Sequence, residues 1–200
     1  MLMKKFVLAS NNQGKLKEFA QLLSTVEAEV VAQKIFDIPD AVEDGLSFVE
    51  NALIKARHAA NLSGLPAIAD DSGIEVDILR GAPGIYSARY SGRGDEANWR
   101  KLLQEMKDVP PDKRQARFQC VLVFIRHPKD PTPLICQGTW EGHILEEPKG
   151  EGGFGYDPVF GVLNSAQSAA ELTSVEKNSL SHRGQALRCL VQRLSDCHYV

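Results

Sequence analysis

Ala67-Ile-Ala-Asp-Asp-Ser-Gly-Ile-Glu-Val-Asp77 opens as a short apolar run that reads as a buried strand, then presents two adjacent carboxylates, a hydroxyl and a glycine. Side chains alternate along a strand, so Asp70 and Asp71 point to different sides. Alternation does not say which of them faces a cleft. Carboxylates at a strand end suit a divalent metal or a water. The same Asp-Asp-Ser-Gly run is also ordinary turn composition, and on this stretch alone both readings stand. Beyond it Ile74, Val76 and Ile78 alternate like a half-buried strand.

Working outward, 200 residues suit one α/β domain or two small lobes sharing a cleft. With 43% hydrophobic and 24% charged residues, the composition is that of an ordinary globular protein. A formal net charge of -3 gives no field for a nucleic-acid coat or an anionic membrane, so neither is an expected partner. Any phosphate must be met by locally placed Lys and Arg. The apolar run after Lys4-Lys5 is too short for a signal-peptide core, and no stretch approaches the roughly 20 apolar residues of a membrane span. A cytoplasmic location is expected. Cys120, Cys136, Cys189 and Cys197 form no C-x-x-C pair; they read as reduced thiols, the first two in strands and the third in a helix, rather than as a zinc site.

Lys5–Ala9 is a short apolar strand that runs into Ser10-Asn-Asn-Gln-Gly-Lys15, and Leu16–Ser24 has helical spacing. A helix N-terminus with free N–H groups and an adjacent lysine favours an anion; the plainer reading is an Asn-rich cap and a solvated lysine. The loop is not a Walker A motif. Val30–Ala32 reads as a second strand. After Glu43-Asp44-Gly45, Ser47-Phe-Val-Glu50 fits a capping box for a helix to about Ser63, stopped by Gly64 and Pro66. Lys55 lies off that helix's apolar stripe, either solvated or reaching into a cleft. Ala97–Met106 reads as a helix. Ala116–Arg126 and Pro133–Gly142 read as two long strands joined by a hairpin connection, which predicts a mixed sheet, with Gly142–Leu145 as a further strand.

Four glycines surround Phe154 and Tyr156 in Lys149–Pro158. Aromatics on such a loop either stack on a nucleobase or fold back into the core. Ala169–Asn178 reads as a short helix ending near Lys177, and Ser181-His-Arg-Gly184 opens a final helix. His182 and Arg183 oppose the dipole in its first turn, which suits either an electron-rich ligand or plain solvation.

Six stretches in order, Ser10–Lys15, Ser47–Ala52, Ala69–Gly73, Gly81–Gly84, Gly152–Pro158 and Ser181–Gly184, resemble the inosine triphosphate pyrophosphatase family, the XTP/dITP diphosphatases, and within it the bacterial RdgB branch. The resemblance spans nearly the whole chain. It implies a mixed α/β fold with a largely central twisted sheet, flanking helices and two lobes around a deep nucleotide cleft, all in one domain over residues 1–200. It also implies a homodimer and Mg²⁺-dependent hydrolysis of ITP, dITP and XTP to the monophosphate and pyrophosphate. Under the resemblance Ser10, Asn11, Asn12, Gln13, Gly14 and Lys15 wrap the triphosphate, and Lys55 neutralises phosphate charge. Glu43 holds Mg²⁺, with Asp44 beside it as the alternative acid. Asp71 is the general base and also touches the metal, and Ser72 lies next to the substrate. Phe154 and Gly155 meet the base, Tyr156 lines the sugar or base region, and Asp157, Lys177, His182 and Arg183 meet the base edge. Bacterial relatives often begin the first loop with Thr-Gly-Asn, where this chain has Ser10-Asn-Asn12. Two other classes are a Maf-like pyrophosphatase acting on modified pyrimidines or m⁷GTP, and a non-catalytic nucleotide-binding module.

Overall fold

The structure is a computed structural model that describes residues 4–12, 14–16, 19 and 28–197. Among the described residues, β1 (Lys4–Leu8) pairs in parallel with β2 (Ala28–Ala32) and with β3 (Ala67–Val76). With β4 (Gln115–Ile125), β5 (Leu134–Ile144) and β6 (Phe160–Val162) they form one sheet in the order β2-β1-β3-β4-β5-β6. β5 and β6 are antiparallel, so the sheet is mixed, as expected. The expected further strand at Gly142–Leu145 is the end of β5 itself, and the three-residue β6 was not anticipated. Of the helix expected over Leu16–Ser24, only residues 16 and 19 are described, and both are helical, as are 14 and 15. Gln13 lies outside the described residues.

The Asp-Asp-Ser-Gly run is not a turn. β3 continues unbroken from Ala67 to Val76, with Asp70 and Asp71 both buried. β3 lies between β1 and β4 in the sheet, with β1 alongside Ala67 and Ile68, and this sheet context outweighs a local turn preference. The half-buried alternation ends at Val76, because Ile78 sits in a 3-10 turn over Asp77–Leu79.

The chain divides into two compact units. The first comprises residues 1–71, 120–138 and 183–200. β1 and the second half of β4 are apolar on both faces, and a helix covers each face. Phe6, Leu8, Leu122 and Phe124 pack with Ala186, Leu187, Leu190 and Leu194 of the last helix, α4 (His182–Asp196). The alternate residues Val7, Ala9, Val121 and Val123 pack with Ala52, Ala56, Ala59 and Ala60 of α1 (Phe48–Ser63). Those alanines let the helix lie close on the sheet. α1 begins where the sequence says: Ser47 Oγ accepts from the Glu50 N–H at 3.3 Å, and Gly64 closes the helix at φ 70°. The Glu50 carboxylate is turned to the Leu46 N–H and the Ser47 hydroxyl instead of the cap's own amide.

The second unit comprises residues 72–119 and 139–182. Its core gathers Ile74, Val76, Phe118, Trp140, Tyr156 and Phe160 with Leu102 of α2 (Asp95–Glu105). The helix expected over Ala169–Asn178 is two elements, a 3-10 turn at Ala169–Glu171 and α3 (Ser174–Leu180). Each opens on its own capping box, Ser168 with Glu171 and Thr173 with Glu176. Among the described residues, no helix is long and apolar enough to cross a membrane. Cys120 and Cys136 are buried free thiols in β4 and β5, Cys189 is half-buried in α4, and Cys197 is exposed. Burial pushes the Cys136 thiol up to about 12.

The β4–β5 connection is held by Asp130. Its carboxylate accepts from the Arg126 N–H at 2.9 Å, the Arg126 guanidinium and the Thr132 N–H. The Arg126 contacts hold Asp130 well below the usual carboxylate range against its burial. A depressed folded value contributes stability that is present above the unfolded value near 3.9 and lost as pH falls toward the folded one. Asp130→Ala should cost roughly 1–3 kcal/mol in denaturant titration at pH 7, and the gap to the parent should narrow below about pH 4. A pH-independent gap would assign the loss to packing alone.

Candidate active site

Two groups of candidate side chains stand out, one in the first unit and one chiefly in the second. In the first unit the two aspartates of β3 part company, as alternation requires. Asp70 is 1% exposed and its Oδ2 receives Lys15 Nζ at 2.8 Å, with Arg183 Nε at 3.7 Å. Asp71 Oδ1 instead receives Lys55 Nζ at 3.0 Å, and the same nitrogen lies 3.0 Å from Glu43 Oε1. Lys55 is therefore not a solvated lysine of α1.

The two sides differ in charge. Around Asp70 two cations face one carboxylate, a surplus suited to an anion. Around Lys55 two carboxylates face one cation, a surplus suited to a metal ion. The aspartates also titrate apart. Burial works against the Asp70 charge, but Lys15, Arg183 and Lys55 outweigh it and hold the carboxyl well below its ordinary range. Burial raises Asp71, and Lys55 opposes it only in part, so the net shift is upward. Burial likewise disfavours the Lys55 charge, yet Asp71, Asp70 and Glu43 together hold the ammonium above its ordinary value. Neighbouring carboxyls pushed in opposite directions are suited to different tasks, the lowered one to an anchor and the raised one to a base. Asp71 Oδ2 is buried and has no hydrogen-bond partner among the described residues, so it is available to a water or a cation.

The first loop is built as a cap. Ser10 Oγ accepts from the Asn12 N–H, Asn12 Oδ1 accepts from the Lys15 N–H at 3.1 Å, and the Leu16 N–H reaches Asn12 O. Asn12 therefore spends its carbonyl on the helix, and that cap sets the turn from which Lys15 reaches Asp70. Asn11 Nδ2 donates to Asp40 Oδ1, which also accepts from Gln33 Nε2. Asn51 Oδ1 accepts from the Gly45 N–H. Asp40 and Asn51 thus hold the segment carrying Glu43 on either side of it, and sequence reasoning found neither.

In the second unit the glycine-rich loop divides its aromatics. Phe154 is half-buried with Lys177 Nζ 4.7 Å from its ring centroid. Tyr156 is buried in the core, and its hydroxyl donates to Ser87 O at 2.9 Å. The expectation that Tyr156 lines a sugar or base region meets a ring already taken into the core. Asp157 is a buried organiser: its Oδ2 accepts from the Phe154 N–H at 2.8 Å and from Lys177 Nζ at 2.5 Å. The next amide, Gly155 N–H, donates to Asp95 at the start of α2, another contact the sequence did not disclose. His182 is buried and stacked on Phe118, with centroids 4.7 Å apart and planes 11° apart. Arg183 is buried as well, so solvation explains neither. Ser72 is half-buried on β3.

Gly153 has φ 74°, and a Cβ there would collide with the Asp157 carboxylate. Gly153→Ala should lower stability by roughly 1–2 kcal/mol from backbone strain alone, read by denaturant titration. A neutral result would mean that the loop relaxes away from Asp157.

The fold is that of a mixed α/β protein, and each unit carries a cluster of buried charged side chains. Residues 6–193 match the Ham1 family, and the chain belongs to it. It is 59% identical over 194 residues to the dITP/XTP pyrophosphatase of Escherichia coli (strain K12), covering 96% of this chain and 98% of that protein. It is 58% identical over 196 residues to the dITP/XTP pyrophosphatase of Vibrio cholerae serotype O1, covering 97% and 98%. The solved HAM1 protein from Coxiella burnetii matches with a TM-score of 0.91 at 47% identity, covering 97% of this chain and all of that one. The family likeness carried by the six motifs is borne out, and with it the fold class.

Proposed function

We propose that this chain hydrolyses dITP, XTP and ITP to the nucleoside monophosphate and pyrophosphate. The observation that carries the reading is the Asp71 carboxylate. Burial raises its basicity, one oxygen is held by Lys55, and the other has no partner among the described residues. The 58–59% identical relatives bearing the name dITP/XTP pyrophosphatase support it.

In the proposed reaction Asp71 takes a proton from a water whose oxygen bonds to the α-phosphorus. The bond from that phosphorus to the bridging oxygen breaks, and its electron pair leaves with pyrophosphate. A raised carboxyl is the better base at neutral pH, worth roughly 10²–10⁴-fold in rate. Lys15 and Lys55 offset the phosphate charge, with the loop Ser10–Lys15 around the phosphates and Ser72 next to them.

Mg²⁺ fits the residues present. Glu43 and Asp71 converge on one nitrogen, both are oxygen donors, and Mg²⁺ takes one or two carboxylates while keeping several waters. Those two residues would hold it, and when bound it supplies charge stabilisation on the phosphate oxygens.

For the base, Phe154 offers a stacking face and Lys177 with Asp157 fixes the loop behind it. Donors from His182 and Arg183 pair with the 6-oxygen of hypoxanthine or xanthine and leave the adenine amino group unsatisfied, a mismatch that discriminates strongly. The cellular role is removal of deaminated purine nucleotides before incorporation into DNA or RNA, by a cytoplasmic homodimer.

A matched assay of dITP, dATP and dGTP, with and without Mg²⁺, tests the proposal by following pyrophosphate release. Preferential Mg²⁺-dependent turnover of dITP is expected. Equal rates on all three would remove the house-cleaning role, and a monomer in ultracentrifugation at micromolar concentration would remove the dimer.

A further inference from the structure

We propose that Asp70 is a positioning residue that sets Lys15 and Arg183 in register with each other, so that one buried carboxylate fixes both a phosphate-binding lysine and a base-reading arginine. This rests on the nucleotide reading above. Asp70 lies in the fully buried first half of β3, and the two cations reach it from opposite ends of the chain: Lys15 from the first loop and Arg183 from the first turn of α4. Both approach the same oxygen, Oδ2.

The argument is one of freedom and charge. A lysine side chain loses up to about 2 kcal/mol of rotamer entropy when it is held still. Lys15 is already held at 2.8 Å, with its side chain only 18% exposed, so an incoming phosphate meets a lysine whose ordering is complete. Arg183 is 4% exposed, and a buried cation of that kind gains from the Asp70 carboxylate 3.7 Å from its Nε. One carboxylate between two cations keeps a net positive charge for the ligand. Asp71, on the other side of the strand, does not share this task, because its charge partner is Lys55.

The test uses the full chain, with calorimetric binding of inorganic tripolyphosphate and of inosine monophosphate alongside dITP kinetics. Asp70→Asn should weaken tripolyphosphate at least fivefold through Lys15, and inosine monophosphate by a similar factor through Arg183. KM for dITP should rise more than kcat falls. In combination with Lys15→Ala, Asp70→Asn should weaken tripolyphosphate less than twofold further, because the residue through which it acts is gone. Multiplicative losses in the double variant, or unchanged binding of both probes by Asp70→Asn, would overturn the proposal. Should Asp70→Asn fail to fold, Asp70→Glu keeps the charge and moves it by one methylene. It should show the same paired loss of both probes at an unchanged melting temperature, and parental binding of both probes by Asp70→Glu would overturn the assignment. Wild-type protein that binds both probes yet leaves dITP intact would count against the proposed reaction and leave this inference standing.

Discussion

Asp71→Asn should reduce turnover of dITP by about 10²–10⁴-fold while the affinity for dITP changes by no more than a few-fold. The substitution is nearly isosteric, so β3 keeps its place between β1 and β4 and Asp70 keeps Lys15 and Arg183. What is lost is a basic oxygen. Asn also presents an amide to Lys55 Nζ on one of its two faces, and with its oxygen toward Lys55 the original 3.0 Å contact survives. Binding should therefore outlast catalysis, giving a protein that holds substrate without consuming it. The checks are single-turnover kinetics for the chemical step and calorimetry for affinity. A comparison with Asp70→Asn is informative because the neighbours are pushed in opposite directions, Asp70 down and Asp71 up. Asp71→Asn should act on kcat and Asp70→Asn chiefly on KM. Near-parental turnover by Asp71→Asn would mean that the proton goes elsewhere, and the pairing of Asp71 with Lys55 would then be purely electrostatic.

The sequence made local features legible and left distant pairings hidden. Helix α1 was readable at both ends because its determinants are adjacent in the chain, Ser47 before the first turn and a left-handed glycine after the last. Long apolar runs announced β4 and β5 for the same reason. By contrast, Asp-Asp-Ser-Gly is turn-like by composition, and only partners far away in the chain make it a strand. Pairing in the sheet covers its backbone, while Lys15, Arg183 and Lys55 answer its charges. The site shows the same division. Asp71, Lys55 and Glu43 could be nominated by residue type and by resemblance, but nothing in the chain's order says that one nitrogen serves both acids. Tyr156 and Phe154 are two residues apart on one loop, yet only the Ser87 carbonyl explains why one ring is core and the other half-buried. One miss was avoidable. Ser168–Glu171 and Thr173–Glu176 are two capping signatures in close succession, and they rule out the single helix expected there.

Lys55→Met carries the second large effect. Its ammonium lies between Glu43 and Asp71, at 3.0 Å from each, and three carboxylates hold its charge against burial. Methionine keeps the length of the stem but cannot answer the acids. Two like charges then face each other in a partly buried place, where the interaction is far stronger than in water. That repulsion favours protonation of one of them, and a protonated Asp71 cannot accept the water's proton. Loss of a preorganised cation at developing phosphate charge alone removes about 10²–10³ in kcat; the loss of base adds to it. Turnover should therefore fall by at least about 10²-fold. Part of the deficit should return as pH rises, because a protonated acid is then deprotonated again. Lys55→Arg offers the discriminating comparison. It retains charge but places a planar fork where a point charge bridged two oxygens, so it should recover the pH profile without recovering the full rate. A pH-independent loss in Lys55→Met would confine the lysine to phosphate binding, and full rescue by Lys55→Arg would show that charge alone, without the shared nitrogen, is enough.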